Sequence, residues 1–202
     1  MINDGKLCVL INGTNGVGKS SLVNEILTTY GGGVAKIENN LTYCRERKVC
    51  AVGEYKGQTF GGADRIKNKD GVYCTSELHK VVKRGLETCN VVIFEGAYFD
   101  SFGINMTNAL FQASNRLVVS LLADANTLVG RLRKRSGNKG GRRGDGHVDF
   151  AGIMKKQNRV ISVALKWRKI GVRVLPINTT SLSVQDVCNQ VIEAIETELN
   201  KI

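Results

Sequence analysis

The octapeptide GTNGVGKS (13–20) lies directly behind the apolar run LCVLI (7–11) and opens the stretch SSLVNEILTTY (20–30). It fits the pattern G-x-x-x-x-G-K-[ST] through Gly13, Gly18, Lys19 and Ser20, in the strand-then-helix setting that gives the pattern its meaning. Glycines admit positive φ and leave no Cβ in the way, so consecutive backbone N–H groups can turn inward around phosphate oxygens. The helix that follows adds the positive end of its dipole. Gly13, Thr14, Asn15, Gly16, Val17, Gly18, Lys19, Ser20 and Ser21 are therefore expected to bind ATP. Lys19 is expected to bridge the β- and γ-phosphates, and the Ser20 hydroxyl to ligate Mg2+.

A loop of this kind needs a buried strand and a covering helix, and the rest of the chain repeats that unit. The apolar runs VCAVG (49–53), NVVIFEG (90–96), LVVSLLA (117–123) and VRVLPI (172–177) read as strands covered on both faces. Helical patterns occupy 75–89, 124–135, 150–171 and 184–202. Strands alternating with helices predict an α/β fold: a P-loop NTPase, three-layer sandwich with a parallel sheet of about five strands. With 202 residues the chain suits one domain spanning 1–202, and two stretches fall outside the alternation. Residues 31–74 are expected as an insertion carrying substrate-side loops, and 131–149 as a glycine-rich basic lid.

Charge bears on partners. With 29 Lys+Arg against 18 Asp+Glu the formal net charge is +11, which suits a polyanion unless the surplus only solubilises the surface. The six cysteines show no C-x-x-C pair and no histidine at zinc spacing, so reduced thiols in a cytoplasm are expected. No leader-like N-terminus and no long apolar window stand out, so no membrane partner is expected.

Several uses of a phosphate loop lack their second signal. NKDG (68–71) does not have the spacing of a guanine-reading segment, and DSFG (100–103) begins several residues beyond its strand. VVIFEG ends in one acid, Glu95, where a remodelling ATPase carries a pair. These absences favour a kinase. RLRKRSGNKGGRRGDGH (131–147) places Arg131 and Arg135 one helical turn apart before the flap that holds Arg142 and Arg143. This segment resembles the lid of the nucleoside and nucleotide kinase group, which implies arginines closing over the transferring phosphoryl group. The same resemblance implies a carboxylate at a strand tip that takes the acceptor proton or holds magnesium, for which Asp64, Glu95 and Glu54 are candidates. Asp64 in GGADR is favoured as the base, with Arg65 holding a substrate phosphate; Glu95 is assigned to Mg2+ or the hydroxyl. The plainer readings are that Asp64 caps a helix and Glu95 anchors a turn.

The basic body and the segment 53–73, with G-x-Y followed by G-G-x-D-R, are also similar to the bacteriophage enzymes that phosphorylate 5-hydroxymethyluracil in DNA. That resemblance implies ATP as donor, a base hydroxymethyl group as acceptor, and DNA along the basic face. Tyr55, Phe60, Tyr73, Tyr98 and Phe99 could stack on a displaced base, though core packing accounts for most such residues. A deoxynucleoside monophosphate kinase acting on free nucleotides is the close competitor. A non-catalytic ATP-dependent DNA-binding module is the remaining alternative.

Overall fold

The computed structural model describes residues 3–31, 36–44, 48–56, 59–63, 66–67, 70–72, 74–96, 113–137 and 150–201. The strands are β1 (Asn3–Gly13), β2 (Lys36–Glu38), β3 (Leu41–Cys44), β4 (Val49–Val52), β5 (Glu54–Lys56), β6 (Thr59–Gly61), β7 (Val91–Glu95), β8 (Ala113–Leu122) and β9 (Arg173–Asn178). The helices are α1 (Lys19–Gly31), α2 (Thr75–Thr88), α3 (Ala125–Gly137), α4 (Phe150–Lys169) and α5 (Val184–Leu199).

Seven strands form one sheet in the order β2-β3-β4-β7-β1-β8-β9, and β5 pairs with β6 apart from it. β4, β7, β1, β8 and β9 run parallel, as the five apolar runs predict, while β2 and β3 add an antiparallel edge. The edge corrects the reading of 31–74 as an insertion, because β4 within it is an interior strand paired to β7. Its sequence, VCAV, is buried at every position, which is what a strand covered on both faces requires. The sheet is thus mixed at one margin and parallel where the candidate site lies.

Alternation along β1 divides the core into two layers. Leu7, Val9 and Ile11 pack with Leu22, Val23 and Ile26 of α1 and Val187, Cys188 and Val191 of α5. Cys8 and Leu10 pack with Leu78, Val82 and Leu86 of α2 and with Trp167 of α4. The result is a three-layer sandwich with β1 at the centre, so the carboxyl end of β1 meets the ends of β7 and β8 on either side. In an open parallel sheet that crevice is where ligands gather. α5 begins at a capping box: the Ser183 hydroxyl accepts from the Asp186 N–H at 3.1 Å and the Asp186 carboxylate accepts from the Ser183 N–H at 3.1 Å. Among the described residues no helix is long and apolar enough to cross a membrane.

Candidate active site

The loop 13–20 leaves β1 at Gly13 and turns into α1 at Lys19, with the Leu22 N–H bonded to the Gly18 carbonyl at 2.9 Å. Two glycines carry the turn for different reasons. At Gly13 (φ +155) a Cβ would sit 2.8 Å from the Leu121 carbonyl oxygen and 2.8 Å from Val17 Cγ1, so the position is closed by packing. At Gly18 (φ +103) a Cβ would meet nothing within 4 Å, so there the backbone angle alone demands glycine and the space above the loop is open. Asn15 and Ser21 are exposed at the mouth of the loop, whereas Thr14 and Val17 are buried.

Lys19 is 7% exposed, and its ammonium donates to the carbonyl oxygens of Gly13 (2.8 Å) and Thr14 (3.1 Å). A cation folded back over the loop at the start of its own helix fits a site for phosphate, since it adds charge to the positive end of the helix dipole. The Ser20 hydroxyl donates to Glu95 Oε1 at 2.7 Å. Register explains the meeting: Ile11 of β1 lies beside Glu95 of β7, so Glu95 shares the α1 face of the sheet. A hydroxyl and a carboxylate side by side at the start of the phosphate helix are hard oxygen ligands of the kind Mg2+ takes, and the residues present fit that ion.

Tyr55 stands elsewhere than a base-stacking role requires. It is 4% exposed, its hydroxyl donates to Glu95 Oε1 at 3.3 Å, and its N–H donates to the Thr42 hydroxyl at 3.0 Å. Alternation along β5 turns Tyr55 inward, so it orients the carboxylate, while Glu54 beside it is exposed. Gly62 passes over Glu95 so closely that any Cβ there would strike the carboxylate.

Arg131 also departs from expectation. Its guanidinium donates to the Thr179 hydroxyl (3.1 Å) and carbonyl (2.8 Å), and the Thr179 hydroxyl reaches the Val17 carbonyl at 3.4 Å. Arg131 therefore ties α3 to the turn after β9 and, through Thr179, to the phosphate loop. The start of α3 is capped by Asp124, whose carboxylate accepts from the Thr127 N–H at 2.8 Å and hydroxyl at 2.6 Å. The Thr127 hydroxyl, first among these contacts, holds the Asp124 carboxyl below its ordinary range. Arg135 lies one turn on in α3, but its side chain falls outside the described residues, as do Asp64, Arg65, Arg142, Arg143, Tyr73, Tyr98 and Phe99. Phe60 is in β6 and its side chain also lies outside them.

Three residues at the site carried no weight in the sequence: Asn12, Ser120 and Thr179. For Asn12 and Ser120 a signal exists, a polar residue interrupting an otherwise apolar buried strand. Thr179 matters through contacts across the fold, which no local pattern carries, and Gly62 of GGADR through its close approach to Glu95.

No protein-family model matches the chain, and no curated protein matches it in sequence. Solved structures do. A gluconokinase from Sinorhizobium meliloti superposes with a TM-score of 0.52 at 12% identity, over 96% of this chain and 94% of that one. The YorR protein of Bacillus subtilis, solved in complex with phosphorylated GDP, gives 0.50 at 18% identity, over 95% and 96% of the two chains. The fold is that of the P-loop, nucleotide-kinase-like NTPases.

Proposed function

We propose that this chain is a P-loop kinase that moves the γ-phosphoryl group of ATP to a free nucleotide. The observation that carries the reading is the joint placement of Lys19 over the loop and of Ser20 against Glu95 at the same helix start. Likeness over nearly the whole chain to a protein solved with a phosphorylated guanine nucleotide supports the acceptor class. The chain's own part is positional: loop amides grip the polyphosphate, Lys19 exchanges its carbonyl contacts for phosphate oxygens, and Tyr55 keeps the Glu95 carboxylate turned toward Ser20. Mg2+, held by Ser20 and Glu95, supplies neutralisation of the charge on the transferring group when bound. Asp64 is the proposed proton acceptor, and Arg65, Arg135, Arg142 and Arg143 the proposed cations for the phosphates.

One observation favours a polymer acceptor as the second reading. α4 carries Lys155, Lys156, Arg159, Lys166, Arg168 and Lys169 and no acidic residue, a basic strip suited to DNA carrying 5-hydroxymethyluracil. Labelled ATP with magnesium separates the readings. Label in free nucleoside monophosphates supports the proposal, label confined to hydroxymethyluracil DNA replaces it with the second reading, and hydrolysis without transfer to any acceptor refutes both.

A further inference from the structure

Buried polar side chains in this fold are generally paired. The Thr42 hydroxyl, fully buried, donates to the Gly53 carbonyl at 2.8 Å and accepts from Tyr55, and the Gln157 amide spans the Ala123 carbonyl (2.6 Å) and N–H (3.2 Å). Thr14, in the loop 13–20, departs from this, and so do Asn12 and Ser120. Asn12 and Ser120 are 0% and 2% exposed, and neither the Asn12 amide nitrogen or oxygen nor the Ser120 hydroxyl has a hydrogen-bond partner.

The two are neighbours in register, Asn12 on β1 beside Ser120 on β8, at the carboxyl ends of the strands. Alternation sets them on the same face as Cys8, Leu10 and Val118, the face covered by α2 and α4. The strand positions next to them on that face, Cys8, Leu10 and Val118, are apolar, so a leucine and an alanine would satisfy packing there, and polar groups left without partners act against stability. Asn12 directly precedes Gly13, whose carbonyl receives the Lys19 ammonium. The donor helix α1 covers the opposite face of the sheet, so a group that reaches Asn12 and Ser120 comes with the acceptor.

We infer that Asn12 and Ser120 form a neutral polar subsite, at the β1 and β8 tips, for an uncharged hydroxyl of the acceptor. The inference rests on the phosphotransferase reading above. An amide and a hydroxyl each give and take a hydrogen bond, and an alcohol does both in return, as a nucleotide's sugar hydroxyl would. With no formal charge on the pair and apolar neighbours along its strands, a phosphate or carboxylate would be stranded there.

The test uses Asn12→Leu and Ser120→Ala in the full chain, with acceptor and ATP varied separately and melting temperature measured. The acceptor KM is expected to rise about tenfold for each hydrogen bond lost, with the ATP KM held within about twofold. Melting temperature is expected to hold or rise, since an unpaired group is removed rather than a bonded one. An acceptor lacking its 2′- or 3′-hydroxyl should lose the same factor on the unsubstituted protein and nothing further on Asn12→Leu. An unchanged acceptor KM overturns the subsite, and so does a lowered melting temperature with both KM values raised, which marks a structural pair. Ser120→Ala removes one oxygen and keeps the test open if the leucine variant does not fold. If the unsubstituted protein phosphorylates no nucleotide, the proposed function fails by itself. The subsite is then decided by the melts: a rise in the variants supports it, and a fall overturns it.

Discussion

Gly62→Ala tests whether the Glu95 carboxylate must stand where Gly62 lets it stand. A Cβ built on Gly62 lies 2.8 Å from Glu95 Cδ and 2.9 Å from the Glu95 carbonyl oxygen. Carbon atoms rest at about 3.5–4.0 Å, so the carboxylate or the covering chain must retreat by about 0.7 Å or more. Both obstacles belong to one buried residue at the end of a central strand, and only its side chain can turn. Turning it breaks the 2.7 Å bond from Ser20, and misplacement on this scale is expected to lower kcat by about 10- to 100-fold. The overlap should also cost about 1–3 kcal/mol of stability, or about 3–9 °C in melting temperature for a chain of this size. Stability and catalysis are separated by Gly171→Ala, where φ is +78 and a Cβ meets nothing within 4 Å. That variant should lose a comparable melting temperature through backbone strain of about 1–2 kcal/mol and keep its kcat. A coupled nucleotide-turnover assay with thermal melts on both proteins decides. If Gly62→Ala keeps kcat within about twofold of the unsubstituted protein, the Ser20–Glu95 geometry does not govern the rate.

Lys19→Ala should lower kcat/KM by at least about 10³-fold while circular dichroism stays nearly unchanged, because the substitution removes bonds to two loop carbonyls and keeps a good helix former at the start of α1. Arg131→Ala removes two bonds to Thr179 and should cost about 1–3 kcal/mol in thermal melts and raise the ATP KM, since the phosphate loop loses its brace. Glu198 gives a pH signature. Burial alone would raise its carboxyl pKa, but hydrogen bonds from Lys201 and Arg173 outweigh burial and hold it below the ordinary range. A lowered folded pKa means the stabilisation is complete above the unfolded value and disappears as pH falls through the folded one. Glu198→Gln should therefore melt below the unsubstituted protein at neutral pH, by no more than about 1 kcal/mol given the half-exposed cations, with the two converging in acid.

Much of this molecule was legible before any coordinates. Backbone sterics and the hydrophobic effect act locally, so three glycines and a lysine behind LCVLI already specify the turn from β1 into α1, and four further apolar runs specify the parallel strands. The antiparallel edge was harder, because three-residue β2 is too short to show a period and is placed by pairing with β3 rather than by its own pattern. Arg131 and Tyr55, singled out in the sequence for phosphate and base, bond Thr179 and Glu95 in the fold. A guanidinium is drawn to whichever acceptor lies within reach, and only the turn after β9 put Thr179 there.

The chain by itself determined the alternation of strands and helices and the glycine turn behind β1, both set by residues close in sequence. Only the tertiary structure decided which carboxylate meets Ser20, that Tyr55 and Gly62 constrain it, and that Asn12 and Ser120 lie side by side without partners. Ser20 and Glu95 are 75 positions apart. Their meeting depends on the register of parallel strands, which is set by how two helical layers pack on the sheet and not by any residue's own preference.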